Sequence, residues 1–415
     1  MGPLIFFSII IPAFNEEQAI EQIIVRCLGV RAELIAQTAI DEVEIIVVSD
    51  GSTDQTEEIA LRFESDLRVI AYPHNKGYGY ALKTGFAVAK GDIVAFLDAD
   101  GTCDPRFFIP MVQKLERSQA DICIGSRMGT GSEMPRLRRI GNLFFRYLIN
   151  VLGNTSITDA ASGMRVIRRS ALKWLYPLPD GLHFTPAMSC TAVMDAHLEI
   201  VEIEMTYEER LGRSKLKVLQ DGIGFLKVIL SIALMYRPIR VFGVLGVLMS
   251  AIAFWFGLLT LSGYLRQEAA AVDFHRVFSV VLFGITGIFV TGMSVVADRA
   301  AKLIHRLPRH RSPFGRLLHR SFRSRPAVIF SSLCVLSGVA MNLNNIVSWF
   351  TTGQMHSHWA YLVTGGFLWL LGAMILAIAL INHMFDLIEL KLEYRDAMEI
   401  GGRTQDATPE TRQIH

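Results

Sequence analysis

Ile93-Val94-Ala95-Phe96-Leu97-Asp98-Ala99-Asp100 decides the fold of the first half of this chain. Five apolar residues in an unbroken run read as a strand buried on both faces, as in an α/β sheet. The run stops at two carboxylates one residue apart. Open α/β sheets bind ligands outside the carboxyl ends of their strands, so Asp98 and Asp100 fall at a ligand edge. Two acids so close repel each other unless a cation or hydrogen-bond donors offset them. A hard divalent ion, held by one or two carboxylates and by substrate phosphates, would do so.

Outward from that run, strand and helix signals alternate. Residues 4–11, 43–49, 67–71, 92–97 and 121–124 are strand-like, while 16–34, 53–63 and 77–89 are helical. Asp104-Pro105 starts a further helix, with Asp at the cap and Pro at the first helical position. The alternation predicts a mostly parallel sheet with helices on both faces. No G-x-G-x-x-G follows the first strand; the glycines of Asn75-Lys76-Gly77-Tyr78-Gly79 follow the third, which disfavours a nicotinamide enzyme. Polar clusters fall at four strand ends: Pro12-Ala13-Phe14-Asn15-Glu16-Glu17, Ser49-Asp50-Gly51-Ser52-Thr53-Asp54, Asp98-Ala99-Asp100-Gly101-Thr102 and Gly125-Ser126-Arg127. A turn and a helix cap account for Gly51 and for Thr53 or Asp54. They leave Asp50 free to meet a base, and Arg127 to face anionic material. Four such clusters predict a nucleotide-sized site.

Of the 415 residues, 51% are hydrophobic, and the mean hydropathy is +0.35. The excess lies beyond residue 215. Segments 239–262, 277–297, 327–350 and 361–382 are each long and apolar enough to cross a bilayer, which takes about 20 residues. The asparagines within the third, Asn342, Asn344 and Asn345, are expected to be satisfied by paired helices rather than to line a transport path. Between the second and third segments, residues 301–325 carry Lys302, Arg306, Arg309, Arg311, Arg316, Arg320, Arg323 and Arg325 without an acid. The positive-inside rule places that basic loop, 298–326, in the cytoplasm, together with both termini and the whole 1–215 domain. The loop suits anionic lipid headgroups, and its flanking spans exclude nucleic acid as the partner. Residues 216–236 are apolar but broken by Lys217, Asp221 and Lys227, and read as an interfacial helix. This gives a domain over 1–215, an interfacial helix over 216–236, four transmembrane helices within 237–385 and a cytoplasmic tail over 386–415. The five cysteines show no metal spacing and read as reduced. The N-terminus shows neither a signal peptide nor a myristoylation pattern, and neither is expected.

Ile9-Ile10-Ile11-Pro12-Ala13-Phe14-Asn15-Glu16, Ser49-Asp50-Gly51-Ser52-Thr53-Asp54 and Asp98-Ala99-Asp100 resemble the motifs of a family 2 glycosyltransferase with the GT-A fold. The closer resemblance is to the polyprenyl-phosphate glycosyltransferases, the group of dolichyl-phosphate mannose synthase and bactoprenol glucosyltransferase. Asn75-Lys76-Gly77-Tyr78-Gly79-Tyr80-Ala81 is similar to that group's N-x-G-x-G-x-A. Asp159-Ala160-Ala161-Ser162-Gly163-Met164-Arg165 is similar to its D-x-x-S-G-F-R, with Met164 in place of the aromatic. Arg210-Leu211-Gly212-Arg213-Ser214-Lys215-Leu216 matches R-x-G-x-S-K-L.

The resemblance implies a GT-A nucleotide-diphospho-sugar transferase domain over roughly residues 4–220, followed by the interfacial helix and four spans. It implies metal-dependent, inverting transfer of a sugar from a UDP- or GDP-linked donor to a polyprenyl phosphate at the cytoplasmic membrane face. Pro12, Phe14, Glu16, Asp50, Lys76 and Ala99 would hold the donor. Asp98 and Asp100 would hold Mg²⁺ or Mn²⁺, with Thr102 standing where the family often has Gln. Asp98, Asp100, Arg127 and Arg210 would carry catalysis, and Arg127, Arg138, Arg139, Asp159, Ser214 and Lys215 would meet the acceptor phosphate. Which of Arg138 and Arg139 points inward stays open, and so does a purely structural salt bridge for Asp159. A phosphate monoester with a second pKa near 6 is largely dianionic at neutral pH, so a protein general base is not required. The lack of Q-x-x-R-W before the spans disfavours a processive polysaccharide synthase. A hydroxyl-bearing lipid acceptor and a non-catalytic membrane partner are the remaining alternatives. The sugar, the prenyl length and homo-oligomerisation are left open.

Overall fold

A computed structural model describes residues 4–129, 132–212, 215, 217–266, 274–305, 313–354 and 359–405. The chain divides between Met235 and Tyr236 into two compact units. The first contains, in chain order, β1 (Phe6–Ala13), α1 (Ile20–Gln37), β2 (Glu42–Asp50), α2 (Thr56–Leu61), β3 (Arg68–Tyr72), α3 (Tyr78–Val88), β4 (Ile93–Leu97), α4 (Phe108–Arg117), β5 (Ile122–Ser126) and α5 (Arg136–Gly153). It continues with β6 (Met164–Arg168), α6 (Leu172–Leu175), α7 (Phe184–Met194), β7 (Ile200–Glu204) and α8 (Val218–Tyr236).

The seven strands form one sheet in the order β3-β2-β1-β4-β6-β5-β7. It is mostly parallel, as the alternating signals predict. The exception is β6, which runs antiparallel to both β4 and β5 and separates them. Neither β6 nor β7 stands out in the sequence. Successive side chains of a strand point to opposite faces. On one face Phe7, Ile9 and Ile11 join the inner residues of α1 and α4. On the other, Ile10, Val94 and Phe96 join Leu82, Phe86 and Phe184. The α3 helix lies so close to β1 that a Cβ at Gly85 would come within 2.4 Å of the Ile10 side chain. Phe225, Ile229 and Ala233 of α8, spaced four apart, are buried, and Val228 and Ile232 pack against the second core. Part of the apolar surface of α8 is thus taken up by the first unit itself.

The second unit contains α9 (Pro238–Leu265), α10 (Phe274–Ile304), α11 (Pro313–Ser321), α12 (Ser324–Thr352) and α13 (Trp359–Gln405). Glycines bring its helices together in pairs. A Cβ at Gly246 would lie 2.8 Å from the Gly287 carbonyl oxygen, and one at Gly338 would lie 2.5 Å from that of Gly365. Such close backbone approach is how helices associate where no hydrophobic driving force separates protein from solvent. Among the described residues, five helical stretches are long and apolar enough to cross a membrane: Leu219–Tyr236, Pro238–Gly263, Phe274–Ile304, Arg325–Thr352 and Tyr361–Leu392. The four expected spans are among them, and α8 also meets the criterion. The expected tail continues α13 as helix to Gln405. Asn342 donates to the Gly338 carbonyl of its own helix, and Asn344 is exposed. The Oδ1 atoms of Asn342 and Asn345 are buried without a partner. Arg306, Arg309 and Arg311 lie outside the described residues.

Candidate active site

Parallel β1, β2 and β4 end at one edge of the sheet, which brings the motifs after them together. The antiparallel course of β6 adds the 159–163 segment, because Met164 pairs with Leu97 and the chain entering β6 starts beside the end of β4. The first two motifs clamp each other. Asn15, at φ +51°, accepts from the Thr53 amide at 2.7 Å, and the Glu16 amide donates to Thr56 Oγ1 at 2.7 Å. Asp54 accepts from Thr56 Oγ1 at 2.6 Å, which also explains its depressed carboxyl pKa: burial opposes, but hydrogen bonds from Thr56 and Glu17 outweigh it. Asp50 is buried and accepts the Lys76 and Gly77 amides, both at 2.8 Å, so β2 fixes the loop that follows β3.

Asp98 accepts from the Tyr78 hydroxyl at 2.7 Å. Its other oxygen packs onto Gly163, where a Cβ would lie 1.9 Å away. Burial and the charge of Asp100 push the Asp98 carboxyl up to about 7, against the hydrogen bond from Tyr78. Asp100 accepts Thr102 Oγ1 at 2.7 Å on one oxygen and Arg210 at 2.7 Å on the other. Arg210 also donates to Glu16, as does Lys215 at 2.6 Å. The carboxylate pair suits a divalent cation, since a bound cation would hold both groups ionised. Among the described residues, no third His, Cys, Asp or Glu completes a cage. The remaining ligands would therefore be phosphate oxygens and water, the coordination that Mg²⁺ favours.

Arg127 belongs to a second network. It grips Asp159 through its backbone amide at 3.0 Å, Nε at 2.8 Å and a terminal nitrogen at 2.9 Å. Asn142 adds a bond to Asp159 at 2.9 Å, and Asp159 is fully buried. Burial alone would raise the Asp159 carboxyl; the charge and hydrogen bonds of Arg127 hold it below the usual range. Breaking a buried pair leaves an uncompensated charge. Asp159→Asn should therefore destabilise the domain by about 3 kcal/mol, seen as a lowered thermal unfolding midpoint. An unchanged midpoint would show that the pair does not support the fold. Arg165 is fully buried below this network. It donates to the carbonyls of Ala160, Ser162 and Thr185 and to Ser189, and burial lowers its pKa to about 10.

These groups surround a cavity of about 440 Å³. Pro12, Phe14, Glu16, Asp50, Asp98, Ala99, Asp100, Arg127, Arg138, Arg210 and Lys215 all line it. Four expected site residues do not. Lys76 is exposed over the Tyr72 and Tyr80 rings, at 5.0 and 4.7 Å. Thr102 is buried behind Asp100. Arg139 is exposed, while Arg138 lines the cavity. Asp159 stands behind Arg127. Ser214 lies outside the described residues. Tyr78 and Gly163 sit inside recognised motifs, yet spacing alone gave no sign that both touch Asp98. The other lining residues include Leu137, Phe145 and Leu182 and, from α8, Gly222 and Phe225.

Residues 8–175 match the model of glycosyl transferase family 2. A dolichyl-phosphate hexose transferase of Haloferax volcanii is 31% identical over 239 residues, covering 55% of this chain and 95% of that protein. The chain belongs to glycosyl transferase family 2. In the same organism the low-salt glycan biosynthesis hexosyltransferase Agl6 is 33% identical over 225 residues; the match spans about half of each protein, 52% of this chain and 51% of Agl6. The dodecaprenyl-phosphate galacturonate synthase of Rhizobium johnstonii is 28% identical over 59% of this chain and 73% of that one. Glucosyl-3-phosphoglycerate synthase of Mycobacterium tuberculosis, solved with Mn²⁺, UDP-glucose and phosphoglyceric acid, superposes at a TM-score of 0.44 with 23% identity, over 55% of this chain and 80% of that one. Most residues lining the cavity fall within the matched stretch 8–175, and Tyr207, Arg210, Lys215, Gly222 and Phe225 follow it. Residues 238–395, which hold the helices of the second unit, match a domain of unknown function, DUF8752.

Proposed function

We propose that this family 2 enzyme transfers a sugar from a nucleotide-diphosphate sugar to the phosphate of a polyprenyl phosphate at the cytoplasmic face of a membrane. One observation carries the reading: a single cavity is lined by the Asp98–Asp100 pair, by the cations Arg127, Arg138, Arg210 and Lys215, and by apolar residues of α5 and α8. A soluble acceptor would not call for that apolar side. Beyond the cavity, α5 exposes Ile140, Phe144 and Tyr147 and α8 exposes Leu219 and Ile223, as helices lying at a bilayer surface would. The charge pattern of the spans and basic loop supports a cytoplasmic catalytic domain. The names of two relatives, which specify dolichyl and dodecaprenyl phosphate, support the same acceptor class.

Asp98 and Asp100 would hold Mg²⁺ or Mn²⁺ together with the donor diphosphate. A cation so held would stabilise the charge that grows on the leaving diphosphate. Glu16 and Asp50 would fix the nucleoside. Arg210 and Lys215 would neutralise the diphosphate, and Arg138 the acceptor phosphate. Arg127, locked by Asp159, would present a fixed positive edge to the acceptor, so positioning replaces a general base. Detergent-solubilised protein incubated with polyprenyl phosphate, MnCl₂ and labelled UDP-glucose, UDP-GlcNAc or GDP-mannose should yield a chloroform-soluble, mild-acid-labile product with one donor. A broad donor panel that yields no lipid-linked label would overturn the proposal.

A further inference from the structure

We infer that Arg210 is the resident counter-cation of the donor site: it occupies Asp100 until metal and nucleotide diphosphate arrive together, and then moves its donors to the diphosphate. This rests on the donor-site reading proposed above. The guanidinium bridges Asp100 Oδ2, at 2.7 Å, and Glu16 Oε1. One side chain thus ties the residue assigned to the cation to the residue assigned to the nucleoside.

Three further observations turn this bridge into a switch. First, Arg210 Nε is buried and has no hydrogen-bond partner. A buried unmade bond is costly, and an arriving phosphate oxygen would satisfy it. Guanidinium groups bind phosphate through paired N–H donors, so the diphosphate offers more than Asp100 and Glu16 together supply. Second, Lys215 also sits on Glu16 Oε1, at 2.6 Å, so Glu16 keeps a cation when Arg210 leaves. Third, the backbone around Arg210 is fixed. The Glu208 amide donates to the Thr102 carbonyl at 3.0 Å, and the Leu211 amide to the Asp100 carbonyl at 3.2 Å. Arg210 can therefore change partners by rotating its side chain, without any movement of the chain.

A divalent ion and a guanidinium repel each other at one carboxylate. Metal alone must displace Arg210 and leave it facing a cation. Metal with a nucleotide diphosphate gives Arg210 a new partner. Metal and nucleotide therefore favour each other's binding, and the coupling is reciprocal.

The test measures free Mn²⁺ by electron paramagnetic resonance with the full-length protein in detergent, without acceptor lipid. The wild type should bind MnCl₂ alone weakly, and UDP or GDP should tighten binding. Arg210→Gln should bind MnCl₂ alone about tenfold tighter or more, since a hydrogen bond to a charged group is lost, and the tightening by nucleotide should shrink to what phosphate coordination of the metal supplies. Arg210→Lys, which keeps one cationic contact, should fall between the two, and it reports if the glutamine variant fails to fold. Mn²⁺ binding to Arg210→Gln and Arg210→Lys no tighter than to the wild type, with nucleotide-dependent binding intact, would overturn the counter-cation role alone. Absence of Mn²⁺ binding in every protein, even with UDP or GDP, would overturn the donor-site reading itself.

Discussion

Asp100→Asn should lower turnover about a thousandfold or more while membrane insertion persists. Stabilisation of charge on a leaving group by a bound cation is worth several kcal/mol, and about 4 kcal/mol corresponds to a thousandfold in rate. The substitution is nearly isosteric. The amide can still accept from Thr102, whose Oγ1 lies 2.7 Å from Asp100 Oδ1. It removes the negative charge on the buried side chain. If its nitrogen took the place of Oδ2, two donors would face each other where Arg210 now binds. The expected loss is therefore one of charge and not of shape. Initial rates of lipid-linked product should be followed as MnCl₂ is titrated. Wild-type activity of the variant at limiting metal would remove Asp100 from the metal role.

Gly163→Ala should lower turnover about a hundredfold with the fold retained. The added methyl would lie 1.9 Å from Asp98 Oδ2 and 2.5 Å from its carboxyl carbon. No real contact is that short, so the Asp98 side chain or the loop before β6 must shift. A displacement near 1 Å in a reacting geometry can cost about a hundredfold. Gly163 is not at positive φ, so alanine strains no backbone there, and the effect isolates the crowding of Asp98. Circular dichroism would check the fold, and the transfer assay would read the rate. A folded variant at wild-type rate would show that the position of Asp98 is not critical.

Much of the site was legible because its residues lie at the ends of strands. A parallel sheet brings the carboxyl ends of β1, β2 and β4 to one edge, so motifs far apart in sequence meet wherever the strands pair. Pro12, Glu16, Asp50, Asp98 and Asp100 needed only that rule. Thr102 was legible as a neighbour of the acids but not in its direction: it faces Asp100 from behind. Lys76 meets Asp50 through its backbone amide, at 2.8 Å, while its side chain lies exposed over two tyrosine rings. Spacing does not distinguish a residue's main chain from its side chain. The choice between Arg138 and Arg139 likewise depends on how α5 is rotated about its axis, which packing sets.

The sequence by itself determined the α/β alternation, the acidic pair at a strand end, the apolar segments and the charge asymmetry of the loop between them. Each is a local pattern, fixed by side-chain periodicity and by the cost of burying charge. The tertiary structure alone decided that an antiparallel β6 separates β4 from β5 and so delivers Gly163 to Asp98. It also decided that Arg127 is locked to Asp159, and that Arg210 bridges Asp100 and Glu16. These contacts join residues that are 65, 32, 110 and 194 positions apart, respectively. They exist only once the sheet order is set, and that order comes from packing two apolar layers against one sheet, not from any single stretch of chain.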